Sequence, residues 1–145
     1  MTPETEDILR QSSFLQFLPK DHFDRVGPLF REVRYDFGDL IVKQGDEADA
    51  FFVLTSGRAR VVKRGDSGDE LVLGSLMPGS EFGESALLRR ETRTATVRCS
   101  TAVEALRLSR DNFLKVVEAF PKLRNYLETT ARWRTLHRFL YEYSN

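Results

Sequence analysis

Pro78-Gly79-Ser80-Glu81-Phe82-Gly83-Glu84-Ser85-Ala86-Leu87-Leu88-Arg89-Arg90-Glu91-Thr92-Arg93-Thr94-Ala95-Thr96-Val97 is the stretch around which the rest of this 145-residue chain is organised. It opens with a glycine-bearing turn and passes a single acid, Glu84, into a short apolar helical piece. A loop then returns to Arg93, where a β-branched run begins. A helix starting near Glu84 offers unpaired backbone N–H groups and a partial positive charge at its N-terminus, which favours an anion. Arg93 adds a planar, permanently charged fork suited to phosphate oxygens. Glu84 would repel a bare phosphate and so needs another task, for which accepting hydrogen bonds from neutral hydroxyls is the natural choice. The plainer alternative is that Glu84 and Arg93 pair with each other on a surface.

An acid for the hydroxyls of a ribose beside a base for a phosphate describes a nucleotide. Phe82-Gly83-Glu84-x-Ala86-Leu87-Leu88 followed by Arg93-Thr94-Ala95-Thr96-Val97 closely resembles the phosphate-binding cassette of the cyclic-nucleotide-binding domain family. The resemblance implies that Glu84 holds the ribose 2′-hydroxyl. It implies that Arg93 and the helix start hold the cyclic phosphate, with backbone from Gly83, Ser85 and Ala86. The ligand would be cAMP or cGMP, with no cofactor. A lone Gly-x-x-Gly would be weak evidence, but this pattern is long, gapless and carries both charged anchors.

Bulk composition narrows the class of partner. Lys and Arg total 22, as do Asp and Glu, so the net charge is zero. That balance argues against direct contact with nucleic acid or an anionic membrane surface, both of which call for a basic excess. There is no 18-residue apolar run, and the N-terminus Met1-Thr2-Pro3-Glu4-Thr5-Glu6-Asp7 is acidic and polar. The expectation is a cytoplasmic protein. The one cysteine, Cys99, cannot form an internal disulfide and lies in a strand-like run, where a buried, inert thiol is expected.

Length predicts one domain, residues 1–145, with one real core. Residues 1–30 read as N-terminal helices: one over about 3–12, a Phe14-Leu15-Gln16-Phe17-Leu18 cluster that breaks it, and a second from Pro19 with Phe23, Val26, Leu29 and Phe30 at helical spacing. Gly27-Pro28 is expected to fray or end the regular part. From residue 31 to 108 the texture changes to short β-rich pieces with turn residues every 8–12 positions, the signature of a sandwich or barrel. Strands are predicted over 31–35, 40–43, 51–55, 58–63, 70–74, 94–98 and 103–108. Glycines 38, 45, 57 and 79 are expected to supply left-handed or crowded backbone at the turns. Residues 109–145 read as two further helices, the first capped by Ser109 or Asp111 and the second starting at Pro121. The fold class is therefore α+β. The resemblance makes the strands a double-stranded antiparallel, jelly-roll-like β-roll carrying the cassette over 79–97, flanked by the N-terminal helices and by hinge and lid helices at the C-terminus.

Other candidates take their place around that pair. Thr94 directly follows Arg93; in the family a hydroxyl there can reach a guanine amino group or a phosphate oxygen, and Thr is also an ordinary strand residue. Leu76 and Ala86 are expected against the purine and the pocket floor, with Ala95 nearby. Val61 and Val62 are possible walls and more plausible core. Trp133 and Arg134 fall where the family's last helix closes over the base as a lid. The spacing of Tyr126, Thr129, Trp133, Leu136, Leu140 and Tyr143 also suits a helix–helix seam and a homodimer. His22 and His137 stand without a partner acid or nucleophile, so no catalytic machinery is legible and the chain is expected not to be an enzyme. Neither Glu84 nor Arg93 is apolar core, so replacing either is expected to spare the fold. The whole describes a ligand-sensing regulatory module, acting on an effector domain of the same polypeptide or on a partner protein, as in a channel, transporter, kinase or secretion ATPase. The competing expectation is an interaction or dimerisation module that keeps the fold and binds no nucleotide.

Overall fold

The computed structural model describes residues 1–130. Eight strands form two antiparallel four-stranded sheets. They are β1 (Arg31–Tyr35), β2 (Leu40–Val42), β3 (Ala50–Ser56), β4 (Ala59–Arg64), β5 (Glu70–Leu76), β6 (Glu81–Phe82), β7 (Thr96–Cys99) and β8 (Val103–Ser109). One sheet has the order β1-β8-β3-β6 and the other β2-β7-β4-β5, so chain neighbours β2 and β3 lie in different sheets. This is a two-sheet architecture of the sandwich or barrel kind that the strand spacing predicts, and the β-roll that the resemblance implies.

Two cores follow from the side-chain period of 2 in a strand. On β3, Ala50, Phe52 and Leu54 point into the roll, where they meet Val97 and Cys99 of β7 and Ala59 of β4. Phe52 stacks on Phe82 with ring centroids 5.1 Å apart. The alternate residues Phe51 and Val53 point the other way, into a second core made with the helices. There Phe14, Phe51 and Phe113 pack ring on ring at 5.2 to 6.0 Å. Strand β3 is thus buried on both faces along most of its length. Cys99 is buried as expected, and burial, followed by the nearby Asp39, pushes its thiol pKa up, which keeps it protonated and inert.

The helical front end is more broken than the sequence pattern suggests. Helix α1 (Pro3–Gln11) is capped by the Thr2 hydroxyl, and Ser12 caps the single turn α2 (Ser13–Gln16). The second helix predicted from Pro19 is not continuous. It is a 3-10 turn at Lys20–His22, one α-turn, α3 (Phe23–Val26), and another 3-10 turn at Gly27–Leu29. Pro28 has no N–H to give an α-helix, so helical spacing of Val26 and Phe30 buries both without a regular helix between them. Strand β6 escaped the sequence reading because two residues show no period. It exists because β3 supplies a partner, with Phe52 opposite Phe82 and Val53 opposite Glu81. Helix α4 (Glu84–Arg89) and helix α5 (Arg110–Ala119), the latter capped by Ser109, lie where predicted, and residues 121–130 are helical.

Gly57 shows why one turn glycine is indispensable. It joins β3 to β4 at φ 89°, and a Cβ there would sit 2.1 Å from the Ala102 carbonyl oxygen, which is backbone and cannot yield. Gly38 has a similar φ of 83° but open space around it. Gly57→Ala is therefore expected to cost roughly 3 kcal/mol or more, against about 1–2 kcal/mol for Gly38→Ala, where only left-handed backbone strain applies. Urea denaturation of the two variants checks this; equal losses would show that the Ala102 contact is not limiting.

Candidate functional site

The cassette is built by three backbone devices. Gly79 N–H donates to the Leu54 carbonyl and Leu54 N–H to the Ser80 carbonyl, which ties the entry of the segment to β3. Gly83, at φ 99°, then turns the chain sharply into α4, whose start carries no side-chain cap. Arg90 ends α4 in the left-handed conformation at φ 55°, unusual for a residue with a Cβ, and the chain returns toward β7. Beyond it, the Arg93 backbone is pinned from both sides: its N–H donates to Asp46 at 2.7 Å and its carbonyl accepts from Gly45 at 2.8 Å.

Arg93 does not lie on a surface. Its side chain is only 5% exposed, with Nη1 donating to the Gly83 carbonyl at 2.9 Å and Nη2 to the Ala50 carbonyl at 2.7 Å. Asp49 Oδ1 approaches Nη2 at 3.7 Å from the rim. Burial lowers the guanidinium pKa, and the attraction of Asp49 and then Glu84 opposes the shift. An arginine starts high enough to remain a cation throughout the physiological range. Gly83 is part of the same lock. A Cβ on it would come within 2.9 Å of the Ala50 carbonyl and 3.0 Å of Arg93 Nη1. Glu84 opens α4 and is 1% exposed, with carboxylate oxygen Oε2 shielded from solvent. The plain surface ion pair between Glu84 and Arg93 is thus ruled out: both side chains are buried, and Arg93 is held by two backbone carbonyls.

These side chains line one cavity of about 430 Å³. Glu84 and Arg93, named for their chemistry, and Leu76, Phe82, Gly83, Ser85, Ala86, Thr94 and Ala95, which the resemblance implies, all face it. Val61 also lines it and Val62 does not. Val42, Leu73, Gly74, Ser75, Glu81 and Val97 complete the wall and were not identified from the sequence. Nothing in the sequence points to the β5 residues, because an irregularity moves the pairing from Val61 with Gly74 to Val62 with Val72 and leaves Leu73 without a counterpart. Asp49 and Ala50 were missed for a similar reason: they reach Arg93 across 44 and 43 residues of chain. The cavity is thus apolar along one wall, with one buried acid and one buried base at its floor, a form suited to a small polar ligand with a flat apolar part.

Burial alters one expectation. Truncating Arg93 would strand the Gly83 and Ala50 carbonyls and leave Glu84 without its nearby cation, so the substitution cannot spare the fold as a surface change would. Other candidates stand aside from the cavity. His22 pairs with Asp21 at 3.2 Å and lies edge-on to Phe120. Trp133, Arg134, His137 and the Leu136–Leu140–Tyr143 part of the seam lie outside the described residues. Tyr126 does not face a free seam: its hydroxyl donates to Ser13 Oγ at 3.1 Å and its ring stacks on Phe17. Among the described residues no group of three His, Cys, Asp or Glu could hold a metal, and no helix is long and apolar enough to cross a membrane.

Comparison with known proteins gives a consistent result. The model of the cyclic nucleotide-binding domain family matches residues 32–120, more than half of the chain. The chain is 32% identical over 127 residues to cGMP-dependent protein kinase 2 of Mus musculus, covering 86% of this chain and 17% of the kinase. The chain thus spans about a sixth of the length of that relative. Among solved structures, the regulatory domain of Toxoplasma gondii PKA with cAMP superposes with a TM-score of 0.75 at 32% identity, covering 82% of this chain and 46% of that one. The catabolite activator protein of Thermus thermophilus superposes with a TM-score of 0.78 at 28% identity, covering 89% of this chain and 61% of that one. The matched segment contains the roll from the second residue of β1 onward, the Phe82–Val97 stretch and the buried Glu84 and Arg93, and the chain belongs to the cyclic nucleotide-binding domain family.

Proposed function

We propose that this chain binds one molecule of cAMP or cGMP in the 430 Å³ cavity and serves as the regulatory sensor of a larger protein. The observation that carries the reading is the buried Arg93, locked by two carbonyls and lining the cavity beside the buried carboxylate of Glu84. In this reading Arg93 and the backbone of Gly83, Ser85 and Ala86 meet the cyclic phosphate, and Glu84 accepts from the ribose 2′-hydroxyl. Leu76, Val61 and Val97 supply the apolar wall for the purine. Thr94, on the exposed rim, is the residue best placed to touch the base or phosphate and so to bias cGMP over cAMP.

The kinase relative supports a role in sensing, since the match covers 17% of that enzyme's length. Ligand occupancy would shift the populations of the helices that pack on the roll, and an effector domain on the same polypeptide or on a partner protein would read the shift. A cytoplasmic location follows from that role. The domain division at residues 30 and 108, with hinge and lid beyond, belongs to the same proposal.

Two measurements test it. Titration calorimetry with cAMP and with cGMP is expected to give one site per chain, and saturating ligand should raise the melting temperature by mass action. No binding and no shift at millimolar nucleotide would leave the interaction module as the better reading. Arg93→Ala is expected to weaken binding at least about a hundredfold, because two charge-assisted bonds at about 1.5–3 kcal/mol each are lost. Glu84→Ala, which loses bonds to a neutral hydroxyl, should weaken it about tenfold. Both variants are expected to melt below the parent, so affinity is read well below their transitions. A larger loss at Glu84 would reverse the assigned roles.

A further inference from the structure

The loop that leaves α4 carries a feature that ligand binding does not use. Arg89-Arg90-Glu91-Thr92 places two arginines three and two residues before a hydroxyl, and all four side chains are exposed. Among the described residues, neither guanidinium forms an ion pair and the Thr92 hydroxyl makes no hydrogen bond. A substrate cleft lined with carboxylates could therefore read both cations without first breaking a contact. The backbone at Thr92 lies on an isolated bridge to Glu47, and Arg93, next in the chain, is bonded to Asp46 and Gly45, so the Thr92 side chain stands out from a strip that also holds the Arg93 backbone.

We propose that Thr92 is a phosphorylation site for a protein kinase that reads paired arginines, and that phosphate there weakens the anion site formed by Arg93. In the reaction the Thr92 hydroxyl oxygen attacks the γ-phosphorus of Mg-ATP supplied with the kinase. The new O–P bond forms as the bond to the β,γ-bridging oxygen breaks. ADP leaves with the electron pair, and the hydroxyl proton passes to the kinase's base.

The consequence follows from what surrounds the residue. The added group carries a charge of about −1.5 to −2. It would stand one residue from Arg93 and close to acids, with Glu91 before it and Glu47 across the bridge. Repulsion among these anions loosens the strip that pins the Arg93 backbone between Gly45 and Asp46. The same charge also opposes an anionic ligand at the adjacent site, within about one screening length. Together these effects are expected to lower affinity for a cyclic nucleotide at least about fivefold. Coupling of this kind is reciprocal, so a bound nucleotide that pins Arg93 should slow modification of Thr92.

This second half rests on the proposed nucleotide site, whereas the first does not. The full chain is incubated with Mg-ATP and the purified catalytic subunit of a cAMP-dependent protein kinase. Intact mass and peptide mapping should show one phosphate, on Thr92, absent from Thr92→Val. It should be much reduced in Arg89→Ala and in Arg90→Gly, glycine being chosen because residue 90 is left-handed. No incorporation at Thr92, or unchanged rates in both arginine variants, overturns the assignment. If Thr92 is modified and calorimetry with cAMP and cGMP shows equal affinity before and after, the regulatory half is overturned. If the unmodified chain binds neither nucleotide, the failure belongs to the sensor reading, and phosphate on Thr92 still establishes the site.

Discussion

The guanidinium of Arg93 is the contact on which the rest of this architecture depends. It bridges the Gly83 carbonyl, where β6 turns into α4, and the Ala50 carbonyl, at the start of β3. A buried cation is tolerable only when its donors are satisfied, so the positions of β3, β6 and α4 are set relative to one another by a single side chain. Gly83 has to be glycine for two reasons that coincide: the left-handed turn, and the closeness of both the Ala50 oxygen and Arg93 itself. Cavity and scaffold are the same object here: Arg93, which lines the cavity, also ties together the elements that form it.

Strand β3 extends that constraint into both cores. Because its two faces are covered, Ala50 and Phe52 shape the inner wall of the roll while Phe51 and Val53 anchor the helices. A displacement of the cassette would therefore be felt on the helical side without any long path. The contact of Glu81 with the Phe14 N–H, at 3.1 Å, is another short link, from β6 to the start of the N-terminal aromatic turn. Tyr126 completes it by reaching Ser13 and Phe17 from the helix after Pro121. Close-packed elements with few alternative arrangements convert small movements into discrete ones, which is what a sensor requires.

The electrostatics divide in the same manner. A chain with zero net charge keeps one acid and one base, Glu84 and Arg93, buried side by side in the cavity wall. Fields of buried groups are less weakened by salt than those of surface charges. The exposed arginines 89 and 90 are in the opposite regime, solvated and available to a partner. Three residues separate the two regimes, which makes the loop after α4 a place where surface chemistry can reach a buried site.

Much of this was determined by local sequence. Phe82-Gly83-Glu84 and Arg93-Thr94-Ala95 are legible as a unit, since an acid at a helix start and a planar cation a few residues on depend only on residue type and spacing, and all six residues line the cavity. The short strands of residues 31–108 announced themselves through turn glycines and period-2 patterns, which depend only on neighbours along the chain. What only the tertiary structure decided was everything that needs two distant segments at once. The two-residue strand β6 exists because β3 lies beside it, and the helical spacing after Pro19 resolves into broken turns because packing buries Val26 and Phe30 while Pro28 denies a regular helix. Leu73, Gly74 and Ser75 reach the cavity because of an irregular register between β4 and β5. Above all, sequence presented Arg93 as a fork for a phosphate but not as a buried lock of the fold, and its burial against Gly83 and Ala50 came from contacts 10 and 43 residues away, which no local pattern encodes.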